Sequence, residues 1–139
     1  VAATFNNGGT MPASNYLKGK VIDGTVRGIS FAAPATVYVS LHTADPTANA
    51  TPATEISAGW YARQATAFAA QSTAGQTSNS GTVTYNGVSG SPVTATNFAV
   101  WDAATLGNML YYAPLSAPKT FAVTDVPTWL PGTLTVTAT

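Results

Sequence analysis

A chain of 139 residues falls within the usual size of one domain, about 100 to 150 residues. Hydrophobic residues make up 45% but charged ones only 7%, against a globular norm of about 25%, and five basic residues balance five acidic ones. This excludes disorder, which needs low hydrophobicity with high net charge, and it argues against a nucleic-acid partner, because Lys18, Lys20, Arg27, Arg63 and Lys119 are too few and too scattered to form a phosphate-binding patch.

Residues 1–13 combine an Asn-Asn-Gly-Gly cluster with a late Pro and show no period, which predicts an extended arm, either a mobile terminus or one laid across a neighbour with Phe5 as an anchor on a tether. Ser14 is suited to cap a helix, and Leu17, Val21, Ile22, Val26 and Ile29 recur at helical spacing, predicting a helix over about 14–27 with one apolar face. Gly19 and Gly24 each weaken it by about 1 kcal/mol relative to Ala, so it must depend on packing. Lys18, Lys20, Asp23 and Arg27 fall largely on the other side, as a solvated face first and a docking surface second. After a connector, residues 36–43 alternate with Val37, Val39 and Leu41 on one face and form the clearest strand. Two prolines make 44–54 an exposed loop of the kind that carries contacts.

Residues 60–68 read as a second strand, 71–80 as a polar loop and 81–88 as a third strand. Thr96 to Leu115 holds two aromatic-rich apolar runs around a turn at 103–108, a buried hairpin with Phe98, Val100 and Asp102 on one side and Ala99 and Trp101 on the other. Strands this apolar need cover on both faces, which implies a second layer. Pro114 to Pro118 should break the pairing, 119–126 should form an edge strand with Phe121 and Val123 inward, Trp129 should sit in a small turn, and Leu134, Val136 and Ala138 should alternate in a closing strand. The expectation is an all-β, antiparallel β-sandwich of jelly-roll or Greek-key type over 14–139, with one N-terminal helix and the arm in front.

Ser40, His42 and Asp45 invite a nucleophile reading, but in an extended strand Ser40 and His42 stand about 7 Å apart, so a structural histidine is expected. A glycosidase would need two of Asp23, Asp45, Glu55, Asp102 and Asp125 to converge, which nothing in their spacing requires. One His with no Cys argues against zinc, no Asp-rich loop suggests calcium, and Asn6 to Gly9 lack the strand and helix of a phosphate loop. No catalytic residue, metal or cofactor is therefore assigned. No apolar run approaches the roughly 20 residues of a membrane span, and no membrane partner is expected. Trp60, Tyr61, Tyr111, Tyr112 and Trp129 are read as core before a sugar-stacking platform. Arg63 is read as one half of a structural ion pair, with Glu55 or Asp102 as partner and Tyr61 as a ring to stack on.

Four segments, SNYLKGKVID, TVYVSLHTADPT, EISAGWYARQATAF and TNFAVWDAATLGNMLYYAPL with its ending PGTLTVT, resemble a family of small tailed-bacteriophage virion proteins commonly labelled tail fibre or minor structural proteins. The resemblance runs from Ser14 to Thr137. It implies a non-enzymatic virion protein, made in the host cytoplasm and carried on the capsid or tail surface, with other virion proteins as partners. A capsid decoration or cement protein is the first reading, a tail-fibre or tail accessory protein the second, and a carbohydrate-binding module or glycan hydrolase using the aromatic set the third. The candidate interface is Phe5, Lys18, Lys20, Arg27, Asp45 and Pro46, and a dimer or trimer is expected because a surface so poor in Lys and Glu suits burial against protein.

Overall fold

A computed structural model of the chain describes residues 2–7, 10–72 and 75–137. Its elements are β1 (Ala2–Phe5), α1 (Asn15–Val26), β2 (Val37–His42), a 3-10 turn at Pro52–Thr54, β3 (Gln64–Thr66), β4 (Gln76–Ser78), β5 (Val83–Thr84), β6 (Val93–Trp101), β7 (Met109–Phe121), β8 (Val126–Trp129) and β9 (Thr135–Thr137). The fold is mainly β with one helix. An antiparallel sheet of order β3-β2-β6-β7 faces a small mixed sheet of order β1-β8-β5, and β4 pairs with β9.

The hairpin β6–β7 forms one half of the larger sheet, with β6 in its interior and β7 at its edge. Phe98 and Val100 enter the main core, where the Trp129 ring from β8 meets Phe98 edge-on with centroids 4.9 Å apart. The opposite face, Ala99 and Trp101 with Met109, is covered by Ala50 and Tyr112 in a second, smaller cluster. Both faces of β6 are thus buried over residues 97–101.

The prolines after β7 begins do not end its pairing. Asn97 faces Pro114 and Ala95 faces Lys119, so the excess residues on the β7 side bulge outward between these two points. There the bulge meets the N-terminal segment: Ser116 N donates to Asn6 O at 3.0 Å, and Asn7 bridges Leu115. That segment is integral to the domain. β1 runs parallel to β8, and Phe5 packs edge-on against Trp129 and Phe121 with centroids 4.4 and 5.4 Å away. Met11 is fully buried. The free arm with a tethered Phe5 is therefore corrected for the described residues, because burying that ring against two others is worth more than leaving it in water. Val1, Gly8 and Gly9 lie outside the described residues.

Five further expectations change. Val123 is exposed, since the chain turns at Thr124 with φ +78° and Asp125 Oδ2 accepts from Ala122 N at 2.9 Å. Trp129 ends a strand instead of sitting in a turn, and Pro127 fits that strand with its carbonyl accepting from Tyr85 N at 3.0 Å. The 71–80 loop contains β4, whose Gln-Thr-Ser sequence carries no apolar alternation to reveal it. Of the 60–68 stretch only Gln64–Thr66 is strand, and of 81–88 only Val83–Thr84. Leu134 and Val136 are buried around β9, while Ala138 lies outside the described residues.

Candidate functional site

Helix α1 starts where Ser14 Oγ accepts from Leu17 N at 3.2 Å, and the same hydroxyl donates to Met109 O, fastening the first turn to β7. It ends at Arg27 with Ile29 N on Asp23 O and Gly28 at φ +68°. Only Leu17 of its apolar positions is buried. Val21, Ile22 and Val26 on α1, with Ile29 and Phe31 in the connector after it, are exposed, Val26 at 76%, so the residues expected to pack on the core instead stand free. Its charged flank is partly self-satisfied, with Arg27 Nη1 on Asp23 Oδ1 at 2.7 Å and Lys20 Nζ 5.5 Å from the centre of the Tyr16 ring. Lys18 is exposed.

The second feature is a cleft of about 820 Å³ between the start of α1, the 48–52 loop and the β6–β7 turn. Arg63 forms its floor. The guanidinium lies 3.7 Å over the Trp101 ring, grips Glu55 through Nε–Oε1 at 2.8 Å and Nη2–Oε2 at 2.7 Å, and donates through Nη1 to Ala103 O and Leu106 O. The structure thus brings Arg63 together with Glu55 and not with Asp102. The Asp102 carboxylate instead accepts from Asn108 N at 2.6 Å and Asn108 Nδ2 at 2.8 Å, closing the turn. Tyr61 donates its hydroxyl to Glu55 and accepts from Leu41 N, and burial pushes its pKa up. The aromatic face that Arg63 meets is that of Trp101.

The 48–52 wall is equally tied down. Asn15 N donates to Ala48 O at 2.9 Å, and Thr51 N donates to Pro46 O at 2.7 Å. Pro46 is buried and Asp45 is exposed with Oδ1 accepting from Thr47 N, so of these two interface candidates only Asp45 reaches the surface. Opposite, Leu106 is 87% exposed at φ +54°, and Gly107 stands at φ +72° where a Cβ would lie 2.5 Å from Asp102 Oδ1. Sequence reasoning missed this cleft because its parts come from four separated segments and no motif marks them.

Ser40 and His42 do touch, at 2.7 Å between Oγ and Nε2, which corrects the 7 Å expected from backbone spacing: two side chains on one face lean together across that gap. Trp101 Nε1 donates to Ser40 Oγ, Ser40 gives its proton to His42 Nε2, His42 Nδ1–H donates to Thr54 Oγ1, and Thr54 passes its proton to Thr51 O. Both residues are fully buried, so the chain of bonds joins β2, β6 and the 51–54 turn and offers no open nucleophile. Burial lowers the His42 pKa from 6.5 to about 4. Trp60 and Trp129 are likewise buried and supply no surface platform for a sugar ring. Among the described residues, no three His, Cys, Asp or Glu side chains are placed to hold a metal, and no helix is long and apolar enough to cross a membrane.

A mainly antiparallel β domain whose polar chemistry is spent on fastening its own loops, and whose free features are an apolar tract and a rigid cleft, has the build of a structural module. The chain belongs to the family described as Podophage GP4 fiber I protein gp80, whose model matches residues 12–137. It is thus a phage virion protein of fibre type, a role that entails contact with other virion proteins. No curated protein matches the chain.

Proposed function

We propose that the chain is a non-enzymatic fibre component that attaches to its virion partners through the apolar tract of α1. The observation that carries this reading is the exposure of Val21, Ile22 and Val26 on α1 and of Ile29 and Phe31 in the connector that follows it. In water such a tract costs free energy and favours association, whereas the core-facing half of the domain is already closed. Support for a fibre role over shell cement comes from residues 2–7. A clamp across a capsid lattice would need that segment free, and here it is spent on β8 and the β7 bulge. Lys18, Lys20 and Arg27 border the tract and would lie at the rim of the contact, with Asp45 outside it.

The test adds purified chain to particles assembled without it and locates its density by cryo-EM. Wild-type chain should bind at a fibre position with α1 at the contact. Val26→Asp should abolish binding while changing folding stability by no more than about 0.5 kcal/mol, as expected of an exposed position. Density at regular shell lattice points would sink the fibre reading in favour of cement, and full binding by Val26→Asp would show that α1 is not the attachment surface.

A further inference from the structure

Three amide side chains stand on the walls of the cleft: Asn15 at the start of α1, Asn49 on the 48–52 loop and Asn108 at the base of the turn. Asn15 Nδ2 donates to Asn49 Oδ1 at 2.7 Å and Asn108 Nδ2 donates to Asp102 Oδ2 at 2.8 Å. Each bond uses one end of an amide. Asn15 Oδ1, Asn49 Nδ2 and Asn108 Oδ1 keep hydrogen-bonding capacity, and Tyr16, which also lines the cleft, carries a hydroxyl as a fourth polar group. The two charged lining residues, Glu55 and Arg63, satisfy one another and the turn carbonyls, so a charged ligand gains no partner on the floor. Ala48, Ala50, Pro52, Ala62, Leu106 and Met109 supply apolar wall.

We propose that this cleft binds a neutral acetamido sugar. The Asn15–Asn49 bond leaves Asn15 Oδ1 as an acceptor and Asn49 Nδ2 as a donor for the N–H and C=O of an acetamido group, and Ala48 and Ala50 of the same loop offer apolar surface to its methyl. Asn108 Oδ1 and the Tyr16 hydroxyl take sugar hydroxyls, and Leu106 faces the apolar C–H side of the ring. The volume of about 820 Å³ lies within the range of small-ligand sites, about 300 to 1,000 Å³. A peptide group offers the same donor and acceptor, but an extended peptide is held along a free strand edge. Here β6 is paired on both sides, and the walls are a helix start, a loop and a turn. The walls are fixed before binding by the Asn15–Ala48, Asp102–Asn108 and Arg63 bonds, which limits the ordering cost. This site is separate from the attachment surface: Val26→Asp should leave sugar binding intact.

The experiment titrates the full chain with N,N′-diacetylchitobiose, with cellobiose, which carries hydroxyls in place of the acetamido groups, and with a blocked Gly-Gly peptide. Binding is read by calorimetry and by NMR shifts of the Asn side-chain amides. The diacetylated sugar should bind saturably and shift the Asn15 and Asn49 amides. Cellobiose and the Asn49→Ala variant should each weaken binding about three- to tenfold, the value of one neutral hydrogen bond, with the variant's melting temperature unchanged. No saturable binding of the diacetylated sugar, shifts confined to another surface, an unaffected Asn49→Ala, or tighter binding of the peptide would each overturn the proposal.

Discussion

His42 reaches Ser40 on one side and Thr54 on the other, and the bond that Ser40 Oγ donates to Nε2 requires the ring to stay neutral. Folded, it does so down to about 4, because burial outweighs the opposing pull of Glu55, with Arg63 adding a smaller push downward and Asp45 a still smaller one upward; unfolded, it takes a proton near 6.5. Protons therefore favour the unfolded chain between those values. Stability should be complete above about pH 6.5 and fall by roughly 3 kcal/mol as the pH drops to about 4, then level off for this group. Urea titrations from about pH 7 to about pH 4 check this, and His42→Gln should remove most of the slope; an identical slope in the variant would assign it to carboxylates instead. Arg63 makes a second residue-scale prediction. Its side chain and that of Glu55 are only 7% and 15% exposed, so Arg63→Ala leaves a carboxylate largely out of water and should cost about 3 kcal/mol. Arg63→Lys should recover only part of that, because an ammonium cannot bond both Glu55 oxygens and two turn carbonyls at once. A thermal melt of either variant matching the native one would refute the role.

Among the elements, the hairpin and the N-cap at Ser14 were legible in the sequence because each has a local cause: aromatic runs flanking a turn, and a hydroxyl placed to meet a free backbone N–H. What stayed hidden depends on partners far along the chain. Residues 2–5 look like an arm until β8 is present to pair with them, and Val126–Trp129, with its Pro and flanking turn residues, looks like a loop until it is flanked by β1 and β5. The apolar periodicity of α1 correctly gave a helix and misled about its surroundings, since period reports which residues share a face and not what covers it. The cleft drew on no local signal, while the Arg63 to Glu55 pairing drew on proximity along the chain and the need to neutralise a buried charge. The integral place of β1 is testable. Phe5→Ala should lower stability by about 2 kcal/mol, less than for a fully enclosed ring because Phe5 is half-buried, with an unchanged urea m-value. A loss too small to detect would restore the segment as a free arm.

For the whole molecule, five basic and five acidic residues in 139 leave almost no long-range field, and two of the pairs, Arg27 with Asp23 and Arg63 with Glu55, are already closed within the chain. Encounter with a virion partner therefore gains little from electrostatic steering, and attachment has to draw on apolar burial along α1. The two sources respond oppositely to salt. Raising ionic strength from about 0.1 M to about 1 M shortens the screening length from about 10 Å to about 3 Å, which would strip a contact carried by Lys18, Lys20 and Arg27 while leaving an apolar one intact or tighter. Co-sedimentation of the chain with particles assembled without it, across that range, should show undiminished binding. A steep loss would move the attachment from Val21, Ile22 and Val26 to the charged flank of the same helix, and Lys18→Ala with Lys20→Ala, rather than Val26→Asp, would then be the variant that fails to assemble.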